Sequence, residues 1–217
     1  MGLLDRLAPR KGNLDVRPPH GLTSSSVDDP VFATKALHKF LQTLTSRELP
    51  VLLDLGPLVG SNVTYFGEQL GCKIFVEDIF ADVDRHVRED KLDQLAEFLK
   101  KRFSQLDGSV DGILCWDLMD YLDRSSAQEL ANQLARVLRP EGALLGFFNS
   151  APPVEAHYTK FIIVDEQNLK HRVYPALRKR QSILLNRDII RLFSNLRVSD
   201  SFLLKTNTRE ILFKKPA

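Results

Sequence analysis

Apolar and polar positions along the 217-residue chain alternate between two periods, one of about 3.6 residues and one of short unbroken apolar runs. Ala33, Leu37, Phe40, Leu41 and Leu44 recur at helical spacing, and Asp29-Pro30 in front of them predicts an N-cap with proline at the first helical position. Val51-Leu52-Leu53-Asp54-Leu55-Gly56 is a continuous apolar run ending in an acid and a glycine, which suits a strand buried on both faces of a parallel sheet. A helix follows, capped by Ser61 or Asn62, with Val63, Phe66 and Leu70 inward and Gly71 as its stop. Lys73 to Val76 predict a second strand ending at Glu77-Asp78, and strand–helix–strand order implies a right-handed crossover.

From Asp82 to Asp107 the pattern gives a helix through Leu92, Leu95, Ala96, Leu99 and Phe103, with no strand beside it. Val110 to Trp116 predict the next strand, ending at Asp117. Ser125 and Ser126 offer caps for a helix carrying Leu130, Leu134, Val137 and Leu138, which Arg139-Pro140-Glu141-Gly142 halts. Ala143 to Phe148 form a further buried strand, ending at Asn149. The last third changes character: Tyr158 to Val164 and Leu169 to Tyr174 read as a hairpin turned at Asp165 to Asn168. Asn186 caps a short helix with Ile189, Ile190 and Phe193. Val198 to Thr206 and Glu210 to Phe213 then pair through Asn207-Thr208. The pattern predicts a Rossmann-like three-layer α/β sandwich, its mostly parallel sheet closed by an antiparallel C-terminal strand. Residues 1–29 mix Pro, Gly, Ser and charge without a period and predict an arm, leaving 30–217 as one domain with a β-hairpin insertion at about 158–174.

Composition changes this picture little. A net charge of +2 gives no global signature of a nucleic-acid binder. Cys72 and Cys115 lie in apolar strand-like contexts without metal-ligand spacing, so buried thiols in a reducing compartment are expected, and no metal site. No run is long and apolar enough to cross a bilayer and no secretory core opens the chain, so the cytoplasm is the expected address.

Candidate chemistry gathers at strand ends. In an open α/β sheet ligands bind beyond the carboxyl ends of the strands, and four such ends here carry Asp54 and Gly56, Glu77-Asp78, Asp117, and Asn149. The Gly-x-Gly-x-x-Gly dinucleotide fingerprint fails at Leu58 and Ser61, and no Walker-type Gly-Lys-Ser/Thr follows the strand. What remains is Asp54-x-Gly56-x-x-x-Gly60 and, about twenty residues on, an acid able to accept both hydroxyls of a ribose.

In these residues the chain resembles the class I S-adenosylmethionine-dependent methyltransferases. Asp54-Leu55-Gly56-Pro57-Leu58-Val59-Gly60 is similar to their first motif, acid-x-Gly-x-Gly-x-Gly, with Leu58 in place of the middle glycine and Pro57 removing a backbone donor. Glu77 or Asp78 matches the ribose-binding acid. Asp111 to Asp117 is similar to the fourth strand, and Leu138-Arg139-Pro140-Glu141-Gly142 to the helix end before the fifth.

The resemblance implies S-adenosylmethionine as cofactor, held by Asp54, Gly56, Pro57, Gly60, Glu77 or Asp78, and Asp117. The Leu58 side chain is expected to crowd the cofactor's amino-acid moiety. A small-molecule acceptor is favoured over RNA or another nucleic acid, with no membrane partner, and no catalytic base is singled out. The rival is a non-catalytic module that keeps the fold. His157, Tyr158 and His171 read as structural, Ala151-Pro152-Pro153 as a plain loop, and Arg178-Lys179-Arg180 with Arg187 and Arg191 as a solvated helix face.

Overall fold

A computed structural model describes residues 29–151, 155–181 and 183–217. The expected arm up to residue 28, and Pro152-Pro153, lie outside the described residues. Six strands form the main sheet in the order β3 (Lys73–Val76), β2 (Val51–Asp54), β4 (Val110–Trp116), β5 (Leu138–Asn149), β9 (Thr208–Lys214), β8 (Arg197–Leu203). β3, β2, β4 and β5 run parallel, and β9 enters antiparallel between β5 and β8.

Neighbouring side chains on each strand go to opposite faces. Leu53, Ile113, Leu144 and Ile211 pack into one core with α3 (Ile79–Arg88), α4 (Leu95–Arg102), α5 (Arg124–Val137) and α6 (Asn186–Leu192). Leu52, Leu114, Leu145 and Leu212 face the other core, under α1 (Leu37–Thr45) and a second small sheet. Among the described residues no helix is long and apolar enough to cross a membrane.

That small sheet has the order β1 (Val31–Ala33), β7 (Asn168–Pro175), β6 (His157–Asp165), all antiparallel. Its hairpin spans the expected hairpin region, whereas β1 corrects the reading of Asp29-Pro30 as a helix cap. Val31, Phe32 and Ala33 pair with Lys170, Leu169 and Asn168 instead of opening a helix. α1 starts at Leu37, with the N–H groups of Lys35 and Ala36 both donating to Oε2 of buried Glu210 on β9, each at 2.8 Å. Far-off Glu210 thus satisfies two N–H groups at the helix start, beside the Thr34 hydroxyl, which accepts from the Leu37 N–H at 3.4 Å.

Other helix ends also differ from expectation. Asp123, not Ser125 or Ser126, caps α5, accepting from the Ser126 N–H at 2.9 Å. Leu185 precedes α6, and Ile190 faces solvent. Leu138, expected to end α5, instead opens β5, paired with Val110 ahead of a register shift in the ladder. Gly71 does end its helix, in the left-handed region at φ 65°. From β3 to β4 the chain passes through α3 and α4 with no intervening strand, which leaves β3 at the sheet's edge.

Candidate functional site

Strand order reverses direction about β2: the chain goes first to β3 on one side, then to β4 on the other. A crevice opens at such a switch point, beyond the carboxyl ends of the strands. Asp54 closes β2 and is buried. Its Oδ1 accepts the Gly56 N–H at 2.9 Å and the Trp116 indole N–H at 2.7 Å. Burial pushes its carboxyl up to about 6, against the pull of those two donors and with a further push from nearby Asp78. Asp54 therefore shapes the loop and holds the indole across the gap to β4.

The loop then runs Pro57, buried, Leu58, Val59 and Gly60, where the short helix α2 (Gly60–Thr64) begins and continues as a π-helical turn. At Gly60 the space a Cβ would take is open, with nothing within 4 Å. Leu58 corrects the expectation of crowding: it is 62% exposed and turned to solvent. The crowding residue is Trp116. A Cβ on Gly56 would stand 2.8 Å from the indole Cδ1, so glycine is required there for the ring to lie flat on the backbone.

Asn62 also departs from its expected capping role. α2 has no side-chain cap, and the buried Asn62 amide reaches the hairpin, donating to the Phe161 carbonyl at 2.8 Å and accepting from the Ile163 N–H at 2.9 Å. A side-chain amide that satisfies both polar groups of an extended strand behaves as one more rung of the sheet. It docks β6 against the glycine loop. Val63, expected inward, is partly exposed, while Phe66 is buried.

Glu77 and Asp78 diverge at the end of β3. Both carboxylate oxygens of Glu77 are engaged, one by Arg102 at 2.6 Å and the other by Gln105 at 3.1 Å. Arg102 also holds Asp82 at 2.7 Å. Asp78 uses one oxygen to cap α3 through the Ala81 N–H at 3.0 Å. Partial burial raises its carboxyl, and the Lys160 ammonium on β6 pulls it back down. Of the two acids, Asp78 is the one with an oxygen to spare on the Asp54 side.

Asp117 turns the other way, into a buried cluster with Asp120 and Arg180. Arg180 donates to Asp117 at 3.2 Å and lies over the Tyr121 ring. Asp120 Oδ2 accepts from the Asn149 backbone N–H at 2.9 Å and side-chain amide at 2.8 Å. Burial pushes Asp117 up to about 6 and Asp120 up to about 7; Arg180 opposes this at Asp117, and the neighbouring Asp117 adds to it at Asp120. Among the described residues, Oδ1 of each acid and Nε of Arg180 have no hydrogen-bond partner. Arg180, read as part of a solvated face, is thus a correction: an unpaired pair of buried acids draws it inward.

Trp116, Asp120 and Phe161 are not marked in the sequence as site residues, and Asn62 is marked there only as a helix cap. Trp116 reads there as an ordinary strand residue, and only its position at a strand's carboxyl end marks it. The His157 backbone carbonyl accepts from the Tyr121 hydroxyl at 2.6 Å, and the His157 ring lies 3.2 Å from the Glu155 carbonyl. His171 packs its ring against Phe32 and Phe161, and burial lowers its pKa to about 4. Cys72 and Cys115 are free and buried, and burial raises both thiols.

Residues 53–146 match the family model of a methyltransferase domain. Among solved structures, the PH0226 protein of Pyrococcus horikoshii is 16% identical with a TM-score of 0.52, covering 83% of this chain and 88% of its own. An S-adenosylmethionine-dependent methyltransferase from Clostridium acetobutylicum is 12% identical with a TM-score of 0.50, covering 82% and 92%. No curated protein matches the chain. The matched stretch spans the glycine loop, both ribose-acid candidates and the end of β4. Over residues 53–146 the chain is similar to a methyltransferase domain, and its sheet has the fold of the two solved structures.

Proposed function

We propose that this protein transfers the methyl group of S-adenosylmethionine to a small-molecule acceptor, in the crevice between β2 and β4. The observation that supports it is the gathering of Asp54, Gly56, Gly60 and Asp78 along one rim of the sheet. The residues present suit the cofactor at two points. Asp78 carries a spare carboxylate oxygen for a ribose hydroxyl, and the open space at Gly60 lets a ligand approach the start of α2. Glu77, locked by Arg102 and Gln105, is left out of the assignment. The sulfonium supplies an activated methyl group, so the protein's task is alignment and exclusion of water.

On the acceptor side the assignment is the Asp117–Asp120–Arg180 cluster. Two carboxylate oxygens and one guanidinium N–H without partners leave hydrogen-bonding capacity for a polar group of the acceptor. A carboxyl held near 7, as at Asp120, exchanges its proton at neutral pH and suits an acceptor that must lose one. A small acceptor is favoured by the near-neutral charge and by the hairpin closing over the crevice, which leaves little room for a polymer. Free, buried Cys72 and Cys115 agree with a reducing, cytoplasmic setting.

A second reading, a binding module that keeps the fold without transferring methyl groups, is favoured by one observation: the Trp116 ring over Gly56. Thermal unfolding with and without S-adenosylmethionine separates the two. At a hundredfold excess over Kd the cofactor adds about 2.7 kcal/mol of stability. No rise in Tm with millimolar S-adenosylmethionine or S-adenosylhomocysteine would leave only the module.

A further inference from the structure

In a strand-to-helix turn of this kind, a glycine's bare Cα lets a ligand lie against the backbone. Here a side chain of the protein itself lies there. The Trp116 ring is 3% exposed and is held from three directions. Its N–H donates to Asp54, its face stacks on Phe161 at 5.1 Å and 9°, and Phe147 meets it edge-on at 5.7 Å. Phe161 belongs to β6, the strand that Asn62 clamps to the first turn of α2.

The backbone beneath the ring is strained. Trp116 has φ 50°, in the left-handed region that disfavours a bulky side chain, at a register shift in the β4–β5 ladder. Such a conformation costs about 1–3 kcal/mol and persists only where the surroundings hold it. The holding contacts come from Asp54, from Phe147 on β5 and from the hairpin, and of these the hairpin alone lies outside the main sheet. An element pinned from outside and strained from within has two arrangements to choose between.

We propose that Trp116 is a gate: its indole fills the cofactor's place above Gly56, and S-adenosylmethionine enters only when the indole and the β6 strand stacked on it withdraw together. The inference rests on the methyl-donor reading of the crevice and adds a coupling to it. A cofactor that binds only the open form has its affinity reduced by the open fraction, so a gate open about 0.1–10% of the time weakens binding about 10- to 1000-fold.

Trp116 is the single tryptophan of the chain, so its emission reports the gate without a label. The experiment titrates S-adenosylhomocysteine into the full-length protein while following tryptophan emission, with calorimetry on the same samples. Expected is a saturable move of the emission to longer wavelength, as the ring leaves an apolar stack for a wetter place, with the calorimetric Kd. Trp116→Ala and Phe161→Ala, each checked for folding by circular dichroism, should bind at least about tenfold more tightly, because the open fraction no longer limits them. Trp116 lies in the core, so Phe161→Ala carries the test if Trp116→Ala does not fold. Binding with unchanged emission, or with unchanged affinity in a folded variant, overturns the gate while the donor reading stands. Absence of binding in wild type and in both folded variants overturns both.

Discussion

Asp120 tests the electrostatics of the crevice most sharply, through Asp120→Asn. The carboxyl is 1% exposed, with Oδ2 on the two Asn149 donors and Oδ1 unpartnered. Its pKa is raised from 3.8 to about 7, chiefly by burial, so the folded state holds the proton after the unfolded chain has released it. The unfolded state then binds fewer protons, and stability falls as pH rises from about 4 to about 7. At about 1.4 kcal/mol per tenfold, three decades make ionised Asp120 cost about 4 kcal/mol at pH 8. Asparagine carries no charge to bury but offers Asn149 one weaker acceptor, a loss of about 1–2 kcal/mol at every pH. The variant should therefore be about 1–2 kcal/mol less stable than wild type at pH 4 and about 2–3 kcal/mol more stable at pH 8. Urea denaturation at pH 4, 6 and 8, followed by circular dichroism, reads the crossing directly. Asp54 slopes the same way in both proteins and cancels in the difference, whereas Asp117 is relieved of its charged neighbour in the variant, which adds to the variant's advantage at high pH. Parallel stability curves would show that Asp120 ionises normally, and the account of the cluster would be wrong.

The other predictions are briefer. Asp78→Asn should weaken S-adenosylhomocysteine binding about 10-fold or more, the worth of one charged hydrogen bond, while Glu77→Gln leaves calorimetric affinity within about twofold. Equal losses would return the ribose role to both acids. Asn62→Ala should cost about 2–3 kcal/mol by stranding the Phe161 carbonyl and Ile163 N–H, and should speed amide exchange along β6. Unchanged exchange there would mean that the clamp does not hold the hairpin. Glu210→Gln keeps one acceptor oxygen for the Lys35 and Ala36 N–H groups and should lower Tm modestly, whereas Glu210→Ala should cost about 3 kcal/mol or more. Equal effects of the two would leave the bonds to α1 without importance.

Much of the fold is legible in the residues, because Val51–Leu53 of β2, Ile113–Trp116 of β4 and Ala143–Phe148 of β5 are apolar runs that suit a parallel sheet buried on both faces. The hairpin shows through its alternation and turn residues. β1 does not, since three residues paired through β7 carry no period of their own and Asp-Pro imitates a helix start. The capping errors share one cause: a polar side chain at a helix start serves the helix or a distant strand equally well, and Asn62 serves the strand. At the site, the glycine loop and the Glu77-Asp78 pair stand out by spacing, without a choice between the two acids, whereas Trp116 and Arg180 do not stand out. Each is fixed by a partner more than 60 positions away, Trp116 by Asp54 and Arg180 by Asp117. Chain order holds no trace of that.

Glu210 anchors the start of α1 from β9, almost the whole chain away. On the ribosome the amino-terminal helix therefore emerges long before its anchor exists. The sheet, too, remains open beside β5 until β9 has been released. Structure that waits on so late a strand folds late and shows its apolar faces to solvent meanwhile. Trimming residues 206–217 would remove β9 with its buried Glu210, Ile211, Leu212 and Phe213, and should unfold the sheet beside β5.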